Sequence, residues 1–167
     1  DQETVTAGTT FTTALHLRNF EIWQLGMLFI IVQDMEDSLI QIGSGRSRGL
    51  GKIKASISEQ AEGSHPGGVV LSTMRTTTKR QTEPDKELWG LGRWLAYEGE
   101  DEKTYDTRTN DLLELDPPIA HTRQSIRNIR VFKNEALTTL KEQCIEAFVT
   151  RMQEWKGVPQ PARPGGN

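Results

Sequence analysis

The sequence has few cysteines, few histidines and no long apolar run. Cys144 is the only cysteine among 167 residues, so no internal disulfide can form, which favours a reducing compartment. The three histidines are scattered and have no cysteine or carboxylate at metal-ligand spacing, so the sequence predicts no metal site and no cofactor. The longest apolar run, LGMLFIIV, is too short for a membrane span and includes Gly26. We therefore expect a cytoplasmic protein that does not bind membranes.

Charge is distributed unevenly along the chain. The net charge of −3 argues, taken alone, against a nucleic-acid-binding protein. Residues 43–80, however, contain seven basic residues and only two acidic ones, whereas residues 1–42 and 81–118 are acidic and residues 119–167 are again basic. A basic block beside acidic ones creates a local field that the net charge hides.

The first third of the chain predicts a strand, a helix and a second strand. Residues 9–18 alternate between two faces, with Phe11, Leu15 and Leu17 on one of them, and residues 52–57 alternate in the same way. Between them, apolar residues recur at helical spacing from residue 21 to about residue 39, with Asn19 as a candidate N-cap. We expect the two strands to share one antiparallel or mixed sheet that the helix covers, so the fold class is α+β.

The remaining chain predicts less regular structure. Residues 59–133 resemble an irregular insertion, in which residues 69–78 could form a strand or a hairpin arm and residues 87–99 a short helix weakened by two glycines. Residues 134–156 predict an amphipathic helix capped by Asn134, with Cys144 on its apolar stripe as a small buried hydrophobic residue. Residues 157–167 are typical of a tail or linker.

The stretch IQIGSGRSRGLGKIKASI, residues 40–57, is the strongest candidate site. It follows a helix and precedes a strand, the reverse of the order in dinucleotide folds, and no Gly-Lys-Ser/Thr closes it as in a P-loop. A wide structural turn needs the glycines but not the basic residues. Glycines let a phosphodiester backbone approach closely, and backbone N–H groups and arginines then hold its oxygens. The predicted RNA-binding residues are Gly43, Ser44, Gly45, Arg46, Ser47, Arg48, Gly49, Gly51, Lys52 and Lys54.

Three motifs in fixed order extend this observation: AGTTF at residues 7–11, WQLG at 23–26 and GSGRSRGLG at 43–51. Together, over about residues 4–58, they resemble the RAMP superfamily of CRISPR effector proteins, in particular the backbone-forming subunits of type III complexes. The resemblance implies a ferredoxin-like, RNA-recognition-type domain of which residues 1–58 supply the C-terminal half. The helical C-terminal extension that follows is predicted from its residue pattern alone. Since the chain begins at the third strand of the pattern that it resembles, we expect the missing half upstream in the same polypeptide or on another chain, and we expect residues 1–167 not to fold autonomously.

The resemblance implies a guide-RNA (crRNA)-binding part of a type III-like ribonucleoprotein in antiviral defence, with guide RNA, target RNA and other RAMP-type subunits as partners. In members that cut target RNA, the catalytic aspartate lies in the missing half, so no catalytic residue is named here. A repeat-RNA-processing endoribonuclease of the same superfamily is one alternative. Another is a protein-interaction module without an RNA role. The aromatic residues Trp89 and Trp94, beside Arg93, are compatible with base stacking or with packing against a neighbouring subunit.

Overall fold

The computed structural model describes residues 5–43, 48–74, 83–100, 105–124 and 126–155. These residues form an α+β fold with three helices and small antiparallel sheets. The helices are α1 (Ile22–Glu36), α2 (Leu91–Glu98) and α3 (Asn134–Trp155). The strands are β1 (Val69–Met74), β2 (Glu87–Trp89), β3 (Leu112–Glu114), β4 (Thr122–Gln124) and β5 (Arg127–Phe132).

The core forms where α1 packs along α3. Gly26 lies against the backbone carbonyl of Cys144, and a side chain at residue 26 would collide with that carbonyl. The glycine therefore lets the two helix backbones approach closely. Around this contact, a continuous cluster of buried side chains comprises Ile22, Leu25, Phe29, Leu88, Leu115, Phe132, Leu137, Leu140 and Cys144. Burial raises the pKa of the Cys144 thiol to about 12, and the prediction of a small buried hydrophobic residue is confirmed.

The ends of α1 follow from its local sequence. Its N-cap is Glu21, not Asn19 as expected, because Gln24 completes a capping box in which its Oε1 accepts from the Glu21 N–H at 3.0 Å. At the other end, Ser38 adopts φ +59° and the Leu39 N–H donates to the Asp34 carbonyl at 2.8 Å. This Schellman-type closure ends the helix without a glycine.

The sheets lie within the part of the chain that predicted irregular structure, residues 59–133. Strand β5 pairs antiparallel with both β1 and β4, while β2 pairs antiparallel with β3. Residues Asn128, Arg130 and Phe132 of β5 alternate inward and are buried. Sequence patterning missed most of these strands because three of them span only three residues and β5 places polar side chains on its inner face.

The two strands predicted at 9–18 and 52–57 are not strands in the structure. Residues 9–18 have no regular secondary structure, Phe11 is 75% and Leu15 62% exposed, and no described residue pairs with them in a ladder. Residues 51–60 keep the expected alternation of half-buried and exposed side chains, yet only Lys52 forms a β-bridge. A period-two pattern becomes a strand only when another strand supplies a run of backbone partners, and the described residues supply only the single Gln41–Lys52 bridge to these segments.

The helix predictions are confirmed for α1 and for α3, whose range is residues 134–155 against a predicted 134–156. Residues 157–167 lie outside the described residues. Within the described ranges, every helix is too short or too polar to cross a lipid bilayer.

Candidate nucleic-acid interface

A single β-bridge closes the base of the glycine-rich loop. Gln41 and Lys52 pair antiparallel, and the Ile42 N–H donates to the Gly51 carbonyl at 3.0 Å. Gly51 has φ +83°, and a side chain there would collide with the Ile42 carbonyl. The conformation and the close approach both require glycine at residue 51. This glycine therefore has a structural role at the neck of the loop.

Gly43 and Gly49 differ from Gly51 in their surroundings. Both adopt the left-handed region, at φ +86° and +77°, and both are exposed. A side chain at either residue would meet no atom within 4 Å. The backbone at these two residues is therefore open to solvent, so that a ligand can approach it closely.

Exposed basic residues lie next to this open backbone in the sequence. Arg48 lies beside Gly49 and is exposed, and Lys52 and Lys54 project to the exposed side of the alternating segment that follows. Arg48, Lys52 and the glycines thus belong to one loop, with Lys54 two residues beyond it. The predicted residues Ser44, Gly45, Arg46 and Ser47 lie outside the described residues. His16 and Arg18 are exposed but share no sheet with the lysines, because residues 9–18 form no ladder.

A buried ionic network is centred on Arg130 of strand β5, in the three-stranded sheet. The sequence did not reveal it. Arg130 on β5 is 1% exposed and its Nη2 lies 2.8 Å from the carboxylate of Glu83, which is 4% exposed. The guanidinium also donates to the backbone carbonyls of Glu87 at 2.5 Å and Pro84 at 3.1 Å. Burial raises the pKa of Glu83 against the opposing effect of Arg130.

His121 extends this network to the surface. Arg130 Nε donates to His121 Nε2 at 2.7 Å, so Nε2 acts as an acceptor and Nδ1 donates to Asp85 at 2.9 Å. The hydrogen bond from His121 lowers the pKa of Asp85. Both ring nitrogens are engaged, so the imidazole has no free nitrogen to act as a base or a metal ligand. The network joins residues 83–89 to β5 and has a structural role.

A second buried carboxylate, Asp111, joins two helices. Its Oδ1 accepts the Ile22 N–H at 3.0 Å at the start of α1, and its Oδ2 accepts the Gly92 N–H at 3.1 Å at the start of α2. Burial nevertheless raises the pKa of Asp111 to about 6. Side chains at Gly90 or Gly92 would collide with Asp111 and Arg108. The two glycines of WGLGRW thus let α2 begin against this residue, whereas the sequence predicted only that they weaken the helix.

The aromatic residues that were candidates for base stacking pack on one another. The Trp89 and Trp94 rings lie 4.9 Å apart at 65°, and the Arg93 guanidinium lies 5.0 Å from the Trp89 ring centre. The Trp89 indole also donates to Glu87 at 2.7 Å. Contacts within the chain therefore account for the geometry of these half-buried rings.

Comparison of the sequence with protein-family models gives no match, and comparisons with curated proteins and with solved structures give none either.

Proposed function

We propose that this chain binds the sugar-phosphate backbone of a guide RNA as part of a type III-like CRISPR ribonucleoprotein. The observation that carries the proposal is the open glycine backbone at Gly43 and Gly49 beside exposed basic residues. A turn with only a structural purpose needs Gly51 and the backbone of Lys52, but it does not need the exposed, charged side chains of Lys52 and Lys54. Phosphate oxygens would bind to the loop N–H groups and to these side chains with little preference for sequence.

The proposal includes the RAMP-type arrangement of the domain. The unpaired segment 9–18 and the alternating residues 51–60 would complete a ferredoxin-like sheet with strands from other RAMP-type subunits or domains. Target RNA would pair with the bound guide, and the chain itself would perform no catalysis. In a complete protein that cuts RNA, the catalytic aspartate would come from outside this chain.

Salt dependence of RNA binding tests the phosphate contacts. Each phosphate contact on a single strand contributes about −0.7 to the slope of log K against log salt concentration. Replacing Lys52 and Lys54 with alanine should therefore weaken binding to every RNA sequence and reduce the slope by about 1.4. Fluorescence anisotropy with several unrelated single-stranded RNAs, at four or more salt concentrations, measures both effects.

The matched control is the double variant Lys86→Ala and Arg123→Ala, which removes two exposed basic residues elsewhere. It should leave the slope within error of the unchanged chain. Equal losses in both double variants, or an unchanged slope in the lysine variant, would reject the loop as the RNA site. Replacing Arg46 and Arg48 with alanine extends the test to the arginines of the loop.

A protein-interaction module without an RNA role is the second candidate, favoured by the exposed apolar side chains of residues 11–17. The ratio of absorbance at 260 and 280 nm of purified protein separates the two. Nucleic acid that remains bound in moderate salt supports RNA binding, whereas a clean protein spectrum supports the interaction module. A purified full-length protein that cuts repeat RNA without partners would instead support the processing endoribonuclease.

A further inference from the structure

Residues 52–58 are held beside strand β1 by hydrogen bonds at both of their ends. At the far end, the Ser58 carbonyl accepts the Gly68 N–H at 2.8 Å, directly before β1. At the near end, the Gly51 carbonyl accepts the Ile42 N–H at 3.0 Å. Carbonyls alternate in direction along a β-type segment, so two carbonyls seven residues apart point to opposite edges. The two bonds therefore place residues 52–58 between the chain at Ile42 and β1.

The chain that joins this segment to β1 is already a hairpin. Glu62 and His65 exchange both backbone hydrogen bonds, at 2.9 and 3.0 Å, around a two-residue turn. A side chain at Gly67 would collide with the Glu59 carbonyl, so the two arms are in close contact. Residues 52–58 therefore run antiparallel to β1, although no ladder of described residues joins them.

The burial of the two arms fits one register. Half-buried and exposed side chains alternate along residues 51–60 and along the second half of β1. Every hydrogen bond of an antiparallel pair joins directly opposite residues, so Ser58 and Gly68 are partners and fix the rest. The inward-facing partners are Ile57 with Val69, Ala55 with Leu71 and Ile53 with Thr73. The outward-facing partners are Ser56 with Val70, Lys54 with Ser72 and Lys52 with Met74.

The core supports this register independently of the hydrogen bonds. Ile57, Val69 and Leu71 all pack against the buried cluster between α1 and α3. In the register above, these three side chains are neighbours on the inner face of the sheet. A shift by one residue would turn Ile57 to the solvent, because successive side chains of a strand face opposite sides.

The outer face of such a sheet carries basic side chains and no acidic one. Arg127 on β5 pairs with Met74, and its Nη1 donates to Ser72 Oγ at 3.2 Å. The guanidinium thus reaches over β1 to the residue opposite Lys54. Lys52, Lys54 and Arg127 are exposed, and none of them forms an ion pair with a carboxylate of the described residues. Cations gathered on one face without a carboxylate attract a polyanion.

We propose that residues 52–58 pair with β1 as a fourth strand, and that single-stranded RNA bound at the glycine-rich loop continues across the outer face of this sheet to Arg127. The ligand rests on the proposed function, whereas the strand pairing does not. The Ser72 hydroxyl accepts from Arg127 and donates its own hydrogen to the same phosphate. The other edge of residues 52–58, towards Ile42, stays open to a strand of another subunit.

Disulfide formation tests the pairing in the absence of RNA. Directly opposite Cα atoms lie about 4.5–5.5 Å apart, within the range of roughly 4.4–6.8 Å that a disulfide spans, whereas diagonal ones lie about 7–8 Å apart. The whole chain with Lys54→Cys and Ser72→Cys should therefore form an internal disulfide under mild oxidation, measured by mass spectrometry. The matched controls combine Lys54→Cys with Val70→Cys or Met74→Cys and should oxidise roughly tenfold more slowly. Cys144 is buried and does not compete.

Arg127→Gln tests the RNA surface. It should weaken the binding of every single-stranded RNA roughly two- to fivefold and reduce the slope of log K against log salt concentration by about 0.7, because one phosphate contact is lost. Fluorescence anisotropy measures both effects. The matched control is Arg123→Gln on β4, where the arginine is exposed but pairs with Asn128, whose side chain faces inward. This variant should leave affinity and slope unchanged.

The outcomes separate this inference from the proposed function. A reduced slope in the variant of Lys52 and Lys54 together with an unchanged slope in Arg127→Gln overturns the path across the sheet and leaves the loop as the RNA site. Unchanged slopes in both variants reject the loop as well. Oxidation of the Lys54 and Ser72 pair that is no faster than in the controls overturns the strand pairing, whatever the RNA measurements give.

Discussion

At the scale of single residues, the stability of the described chain depends on buried charged side chains. Arg130, Glu83 and Asp111 are each at most 9% exposed. A buried ion contributes to stability only while its partners remain, because desolvation of the unpaired partner is costly. We therefore expect substitution or titration of these groups to change the free energy of unfolding more than the same change at an exposed charge would.

Replacing Arg130 with methionine should lower the free energy of unfolding by about 3–5 kcal/mol. The change leaves Glu83 buried without its cation and frees the carbonyls of Pro84 and Glu87. Urea denaturation at pH 7 measures the loss. Arg123→Met on β4, where the arginine is exposed, is the control and should stay within about 0.5 kcal/mol of the unchanged chain. Equal stability of the two variants would contradict a structural role for the network.

Asp111 should make stability depend on pH between about 4 and 6. Its folded pKa of about 6 lies above the ordinary value of 3.8, so the folded state binds the proton more tightly than the unfolded state. The resulting stabilisation is fully present below pH 3.8 and is lost as pH rises through 6. It amounts to about 3 kcal/mol by linkage.

Asp111→Asn removes that titration. The difference in unfolding free energy between the two proteins should therefore change by about 2.4 kcal/mol from pH 4 to pH 7, with the unchanged chain gaining at low pH. Urea unfolding at half-unit pH intervals gives both curves. Parallel curves would show that Asp111 titrates normally in the folded chain.

Individual residues also show where sequence reasoning succeeds. The glycine-rich loop was visible because its residues are contiguous. Glu83, Asp85, His121 and Arg130 are separated by up to 47 positions, and no local pattern links a carboxylate to a histidine that the fold later places beside it.

At the scale of elements, helices were easier to predict than strands. Helices α1 and α3 have their hydrogen bonds within the segment and an apolar stripe that the sequence displays. A strand needs a second segment to supply its hydrogen bonds. The sequence of a strand does not show where that partner is. This applies both to the short strands β2, β3 and β4 and to residues 9–18, which have no partner among the described residues.

The contact between α1 and α3 predicts the effect of Gly26→Ala. Alanine favours helix formation by about 1 kcal/mol over glycine, yet its side chain would collide with the Cys144 backbone. The collision should outweigh the gain, with a net loss of about 1–3 kcal/mol as the helices separate. Thermal or urea unfolding measures it, and Met27→Ala at the exposed neighbouring residue is the control. A stabilised Gly26→Ala variant would show that the helices are not in close contact.

At the scale of the whole molecule, the described chain leaves apolar side chains of residues 11–17 exposed. Phe11 and Leu15 are more than half exposed, and Leu17 is 40% exposed. Exposed apolar side chains on a segment without ladder partners favour contact with another chain. The buried core lies on the other elements, so this face is available to a partner.

Replacing Phe11, Leu15 and Leu17 with serine should reduce self-association of the isolated chain and weaken its assembly with partner subunits. The apolar area that drives association would be lost, whereas the core of α1 and α3 would remain. Sedimentation velocity over a tenfold concentration range measures the first effect. The control changes Thr10 and Thr12, on the opposite face, to serine. Identical sedimentation of all three proteins would exclude this face as a contact surface.

The hydrogen bond from the Ile22 N–H to Asp111 joins two residues that are 89 positions apart in the sequence. The glycine-rich loop lies between these two residues in the sequence. Helix α1 is held by Asp111 at its start and by α3 along its length. A cut or an inserted segment in the loop would therefore open the chain without releasing α1. The two pieces would remain associated non-covalently, so the loop can be cut or lengthened without disrupting the core that supports it.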